Sequence, residues 1–454
     1  MRPALRPLPL LVLAVSLAMP PATPLATPLA GQQSGAAPPR AAPPASACAE
    51  DDGGLVVPAG FCARVVAEHL GPVRQLAVAP DGTLYAALSS GSEATVHGDV
   101  TGGVLVFRDA DGDGRVEDRA GFGHLSGNDV KLRAGWIYFA TRGTVVRWRL
   151  AVGRLEPAGE PEVVVRDLPG DGDHYHKTLA FGRGRTMYVT IGSASNSCQE
   201  VNRKSASRGR NPCRELATRA GVWVFDAERA GQTFADGRRF ATGLRNASAL
   251  AVHPVTGALW AAVNGRDQLS MNWGFGDTVN ASNPGEELVQ VRAGQDYGWP
   301  YCYWSVQYAR KVLAPEYGGD GRTAGRCARA ASPALVFPAH WAPLAMAFVP
   351  AGALGPTLGE GLLVAFHGSW NRDPLPQEGY RVSFAPFRDG RPTGRHETFA
   401  ALRDEPAGLR ASGVAVGPDG SVYVAGDRNG KIWRIWRPAP QRVRARQRVR
   451  AGLR

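Results

Sequence analysis

Short stretches of alternating apolar and polar residues recur along this chain, and they recur in one arrangement. An alternating run enters a turn of Pro-Asp-Gly type, and a second run leaves it to end near Tyr or Trp. Clear copies begin at Leu76 (LAVAPDGTLYAAL), Val130 (VKLRAGWIYFAT), Leu179 (LAFGRGRTMYVTIGS) and Leu250 (LAVHPVTGALWAAVNG), and looser ones at Met346 and Val414. Period-two patterning on both sides of a turn whose glycine supplies positive φ predicts a β-hairpin each time. A four-stranded propeller blade takes roughly 40–45 residues plus loops. The six copies therefore predict an all-β, six-bladed β-propeller over residues 55–437, with the surplus length in long loops after the third and fourth blades. The strand at Phe61–Leu70 is expected to close the ring by pairing with the last blade. No helical period is sustained over four turns.

Composition sharpens this picture in three ways. The 56 Gly and 35 Pro suit many strands joined by turns, and repetition lets 454 residues form one large domain. The net charge of +12 would suggest a nucleic-acid partner, but the last 18 residues hold seven arginines and no acid. The rest of the excess forms no basic stripe, so nucleic acid is not an expected partner. No apolar run reaches the ~18 residues of a membrane helix, so no integral membrane segment is expected.

Arg2 and Arg6 precede the apolar stretch Leu8–Met19, and small residues surround Ala30. This reads as an export signal over 1–30, with Ala45-Ser46-Ala47 as a second possible cleavage point. A Pro/Ala-rich leader over 31–54 and a basic tail over 438–454 flank the propeller. The six cysteines fall as sequence neighbours: Cys48 and Cys62, Cys198 and Cys213, Cys302 and Cys327. Their spacing is not that of a zinc site, and no Cys-x-x-Cys-His is present to attach a haem. Structural disulfides in a periplasmic or secreted protein are the preferred reading, with neighbour pairing as the simplest arrangement.

Loops from every blade of a propeller converge at one end of its channel, so residues at equivalent places in the repeats can meet. His174, in Asp171-Gly-Asp-His-Tyr-His-Lys177, stands beside Asp173 just before the third hairpin. An imidazole titrating near its ordinary value of about 6.5 would serve as a general base, although a loop histidine is often merely solvated. Arg245 and Asn246 precede the fourth hairpin, Arg410 precedes the sixth, and Arg372 follows the fifth. Arginines directed at one mouth repel each other unless a polyanion lies between them. The carboxylates and turn carbonyls of Asn283–Leu288 and Asp296–Pro300 suit Ca²⁺. Asp109-x-Asp-x-Asp-Gly114 has the first half of an EF-hand loop, but Ala120 stands where the bidentate Glu belongs, so a plain hairpin turn is favoured.

HYHKTLAFG, TGLRNASAL, VNGRD, EEL…YGWPYCY, AFHGSWNR and LRASGVAVGPDG together resemble the glucose/sorbosone dehydrogenase family, six-bladed quinoproteins that bind pyrroloquinoline quinone (PQQ) and Ca²⁺. The resemblance runs from about Val57 to Trp436 and is strongest to the L-sorbosone dehydrogenase-like branch. It implies His174 as base with Asp173 as its substrate-side neighbour, and Arg245, Asn246 and Arg410 as quinone contacts. The family's PQQ-binding lysine has no counterpart, Gly368 standing nearest, and Arg372 is taken as its substitute. The carbonyls of Gly265 and Arg266 would hold the catalytic Ca²⁺, while Glu287 and the Tyr297 carbonyl would hold a structural one. The implied reaction is oxidation of an aldose or sugar aldehyde, with electrons passing to an external acceptor such as a cytochrome or quinone. Two rival readings are a Ca²⁺-dependent lactonase or esterase, which needs an acidic cage on the channel axis, and a propeller that only binds a partner or glycan.

Overall fold

The computed structural model describes Cys48 and residues 52–89, 102–151, 153–355 and 358–438. The expected export signal, most of the leader and almost all of the basic tail lie outside the described residues. Six sheets, antiparallel except where Val165–Arg166 pairs with Gln232–Thr233, form the six blades of a β-propeller. Their innermost strands are Val73–Val78, Gly127–Arg133, Leu179–Phe181, Ala249–Val252, Pro343–Val349 and Ala411–Val416. Each of these packs against the next, and the last packs against the first, so the ring is closed. Every predicted hairpin supplies the first two strands of its blade, in order around the ring.

The alternation in the sequence has a specific cause. Leu84, Ala86 and Leu88 point into a core shared with the sixth blade, whereas Tyr85 and Ala87 point into a core shared with the second. Four further interfaces are built in the same way, so six apolar layers separate six sheets. Both faces of each inner sheet are therefore buried, which explains why runs such as Leu84–Leu88 and Gly361–Phe366 are buried throughout. The sixth blade takes its outer strand, Cys62–Ala67, from the start of the propeller, pairing it antiparallel with Lys431–Trp436. This is the expected ring closure. Leu55–Val56 pairs with Glu397–Leu402 on the fifth blade, so the N-terminal segment straps two blades together.

The surplus length lies within the third and fourth blades rather than after them. Residues 192–220 leave the third blade between its second and third strands. The fourth blade carries helices Leu269–Trp273 and Asp277–Ser282, and a hairpin of Cys302–Ser305 with Arg310–Leu313. Disulfides Cys198–Cys213 and Cys302–Cys327 lie in these two insertions, and Cys48–Cys62 anchors the leader to the closing strand. All six cysteines are paired. Thiol titration of the denatured, unreduced protein should accordingly find none free, and six titratable thiols would remove the case for an oxidising compartment.

The channel axis is closed by polar side chains. Gln75 Nε2 lies 3.3 Å from Thr178 Oγ1 and 3.2 Å from both the Ser248 and Leu344 carbonyls, while Lys131 Nζ lies 3.4 Å from Gln75 Oε1. One amide thus joins five blades. On the outer side of the first blade, Asp109–Gly114 forms the favoured hairpin turn, with Asp109 accepting from the amides of Gly112 and Gly114. Glu117, not residue 120, turns in to join the three aspartates, their carboxylates lying within 4.8 Å of one another on the surface.

Candidate active site

The segment His174–Lys177 enters the third blade at the channel mouth, and its two histidines face opposite ways. Gly192 allows this close approach: a Cβ there would come within 2.6 Å of the His174 backbone and Cβ. His174 Nδ1 lies 3.0 Å from the Ser193 carbonyl and 2.9 Å from Ser193 Oγ. A carbonyl only accepts, so Nδ1 carries the proton and Nε2 keeps its lone pair. Ser193 Oγ in turn donates to the Ser195 carbonyl at 2.7 Å. Burial, reinforced by the Arg245 guanidinium, pushes His174 down to about 3. The expectation of an ordinary value near 6.5 is therefore corrected.

Arg245 is buried beside His174. Its Nε donates to the Asn196 carbonyl (3.0 Å), Nη1 to the Gly265 carbonyl (2.6 Å), and Nη2 to Asn196 Oδ1 (2.8 Å) and Asp267 Oδ2 (2.9 Å). Asp267 also receives Arg203 Nη2 at 3.2 Å. Burial alone would raise the Asp267 carboxyl, but Arg245 and Arg203 hold it below the usual range. Asp173 faces away from this pair: its carboxylate takes Arg203 Nε at 2.9 Å and Asn202 Nδ2 at 3.2 Å, forming the outer lip of the site. Asn246, partly exposed, accepts from Ser248 Oγ through its side chain (2.8 Å) and from the Asn264 amide through its carbonyl (2.9 Å).

A second charged group lies on the other side of the histidine segment. Arg74 Nη1 donates to Asp427 Oδ2 (2.7 Å), and His367 Nε2 lies 2.9 Å from Asp427 Oδ1. Arg410 Nη1 is 3.5 Å from His367 Nδ1, and its guanidinium sits over the Tyr380 ring at 5.0 Å. Arg142 sits over the Tyr175 ring at 4.2 Å. Neither Arg410 nor Arg142 has a carboxylate within ion-pair distance among the described residues. Burial, then Arg74, Lys177 and Arg142, push His176 down to about 3, and burial, Arg219 and Arg142 bring Lys177 to about 7.

Four expected residues have other partners. Arg372 is clamped between two blades, donating to the carbonyls of Pro376 (2.8 Å) and Ala281 (2.6 Å) and to Glu378 (3.0 Å). The Arg266 side chain is buried against Glu316. Glu287 and the Tyr297 carbonyl meet at one point, where Lys311 Nζ stands between them. The residues that sequence reasoning missed are Arg74, Arg142, Ser193, Asn196, Arg203, Asp267, His367 and Asp427.

Comparisons with known proteins bear on the family and the fold. A PQQ-dependent sugar dehydrogenase of Hypocrea jecorina (strain QM6a) is 27% identical over 335 residues, spanning 64% of this chain and 73% of that protein. A PQQ-dependent pyranose dehydrogenase of Coprinopsis cinerea is 25% identical over 313 residues, spanning 58% of this chain but 40% of that protein. The fold matches the calcium structure of the Trichoderma reesei family AA12 enzyme, with TM-score 0.68, 21% identity, and 85% and 97% of the two chains covered. It matches the holo PQQ domain of the Coprinopsis cinerea pyranose dehydrogenase equally, with TM-score 0.68, 20% identity, and 84% and 97% covered. The TrAA12-like family description fits residues 55–438, which is the whole propeller, and this chain belongs to that family.

Proposed function

We propose that the chain is a PQQ-dependent dehydrogenase oxidising an aldose or sugar aldehyde, with an external acceptor taking the electrons. Family membership and the two named relatives support the class of reaction. The observation that carries the reading is the pair of guanidiniums held by tyrosine faces without a carboxylate, Arg142 on Tyr175 and Arg410 on Tyr380. Stacking fixes such a group while leaving its N–H edge free, which suits a flat polycarboxylate. When bound, PQQ would supply a two-electron acceptor for the hydrogen leaving the sugar carbon. Arg142, Arg410 and Arg74 would hold its carboxylates. His174 would take the hydroxyl proton at Nε2, its ring fixed through Nδ1 by Ser193. Arg245, after its four bonds, retains one Nη1 hydrogen for an oxyanion beside it.

A Ca²⁺ on the Gly265 carbonyl would stand beside the Arg245 guanidinium, whose Nη1 donates to that oxygen at 2.6 Å, so the two positive charges would repel each other. The lactonase reading lacks its acidic cage: among the described residues, Asp267, Glu287, Glu316 and Asp427 are paired with Arg245, Lys311, Arg266 and Arg74 respectively. Three disulfides support a periplasmic or secreted setting. Among the described residues no helix is long and apolar enough to cross a membrane.

The test is PQQ titration of cofactor-free protein, followed by sugar-dependent dye reduction. Arg410→Ala and Arg142→Ala should each weaken PQQ binding by about 10- to 150-fold, the equivalent of roughly 1.5–3 kcal/mol for a hydrogen bond to a charged group. Unchanged affinity in both variants would remove the arginine cradle from the proposal.

A further inference from the structure

Lys311 lies on the strand Arg310–Leu313, in the hairpin that the fourth blade inserts. Its Nζ is 2.7 Å from Glu287 Oε1, 2.6 Å from Glu287 Oε2 and 2.8 Å from the Tyr297 carbonyl. The ammonium donates to Glu287 Oε1 and to the Tyr297 carbonyl, and Glu287 Oε2 completes the ion pair. The pair is enclosed, with side-chain exposures of 4% for Lys311 and 13% for Glu287. These are the atoms that the family resemblance assigns to a structural Ca²⁺. The donor set does not fit that ion. Ca²⁺ would have to approach the same oxygens to 2.3–2.6 Å, which puts a divalent charge in contact with the ammonium, and it would still lack most of its six to eight ligands.

We propose that Lys311 is a resident cation that takes the place of a metal ion, bracing the Asp296–Pro300 loop against the fourth blade without Ca²⁺. Glu287 is on the third strand of that blade, and Tyr297 is on the loop. The loop reaches the catalytic mouth: Trp299 Nε1 donates to the Asn196 carbonyl at 3.0 Å, the same oxygen that accepts Arg245 Nε. The brace therefore holds Trp299, which holds Asn196, which holds Arg245. Lys311, Glu287, Arg245 and Gly265 also line one small cavity, so removing the lysine side chain would leave room for a hydrated ion beside a bare carboxylate. The proposal rests on this geometry and not on the identity of the cofactor.

The experiment uses thermal melts of cofactor-free full-length protein in EDTA and in millimolar CaCl2. Glu287→Gln should change the wild-type Ca²⁺ response by nothing, because its partner is the lysine. Lys311→Ala should melt roughly 5 °C lower in EDTA, as expected when a buried ion pair loses one member in a domain of this size. CaCl2 should restore most of that loss, and Lys311→Ala with Glu287→Gln should not be restored. A Ca²⁺-induced rise in the wild type that Glu287→Gln abolishes would overturn the proposal, since the ion would then be bound there. So would a Lys311→Ala protein that melts like the wild type, or whose loss CaCl2 does not offset. If Lys311→Ala does not fold, the comparison of wild type with Glu287→Gln still decides.

Discussion

His174→Ala should lower sugar-dependent turnover by about 10²–10⁴-fold, the usual contribution of a positioned general base, while PQQ affinity stays within a few-fold. The ring is held through Nδ1 by Ser193, and its partners are not the arginines proposed to grip the cofactor. The pH dependence is equally specific. The neutral ring is the active form, and burial together with Arg245 pushes His174 down to about 3. It stays unprotonated at every pH above about 4, so kcat/KM should show no inflection from this group near the ordinary imidazole value of about 6.5. Steady-state dye reduction from pH 4.5 to 8, with PQQ saturation confirmed at each pH, checks both statements. A mutant that keeps full turnover would take His174 out of the mechanism. His176, likewise pushed down by burial, would be the next candidate.

Asp267→Asn should cost about 3–5 kcal/mol of folding stability, because it strips the counter-charge from a buried guanidinium. Arg245 Nη2 lies 2.9 Å from Asp267, with side chains 5% and 12% exposed. Turnover should fall as well, since Arg203 joins the same carboxylate to Asp173 at the lip of the site. Denaturant midpoints of the two proteins measure the loss. The Asp267 carboxyl is held low in the folded protein, so its stabilisation is complete above the ordinary Asp value of about 3.9 and is lost as pH falls through its own lower value. The wild type and Asp267→Asn should therefore converge in stability under acid. A stability difference unchanged at pH 2 would show that the pair is not what the substitution disrupts.

The hairpins were legible because each blade repeats one strand–turn–strand unit whose alternate residues enter two different apolar layers. The same register exposed His174, Arg245 and Arg410, all of which stand just before a first strand. In an antiparallel pair the second strand ends where the first begins, so the residues just past the second strands occupy the same rim. Arg142, Ser193, His367 and Asp427 all stand there, following strands that end at Thr141, Ile191, Phe366 and Gly426. Arg74 stands at the head of the first blade's inner strand, the same place in the repeat as Arg245 and Arg410. Asn196, Asp267 and Lys311 hold no such place, because they lie in insertions that follow no repeat. Arg372 is a related case: an arginine's type suggests an anion, and only the folded loop reveals Glu378 beside it.

The Gln75 amide, which joins five blades across the axis, makes the propeller a cup rather than a tube. A cup has one doorway. For the proposed reaction, the sugar must enter by the rim that Asp173 and Arg203 form, and the oxidised product must leave by it before the acceptor can approach. On that proposal, sugar and acceptor would compete for one vestibule, and the turnover cycle would become a strict alternation of two visitors.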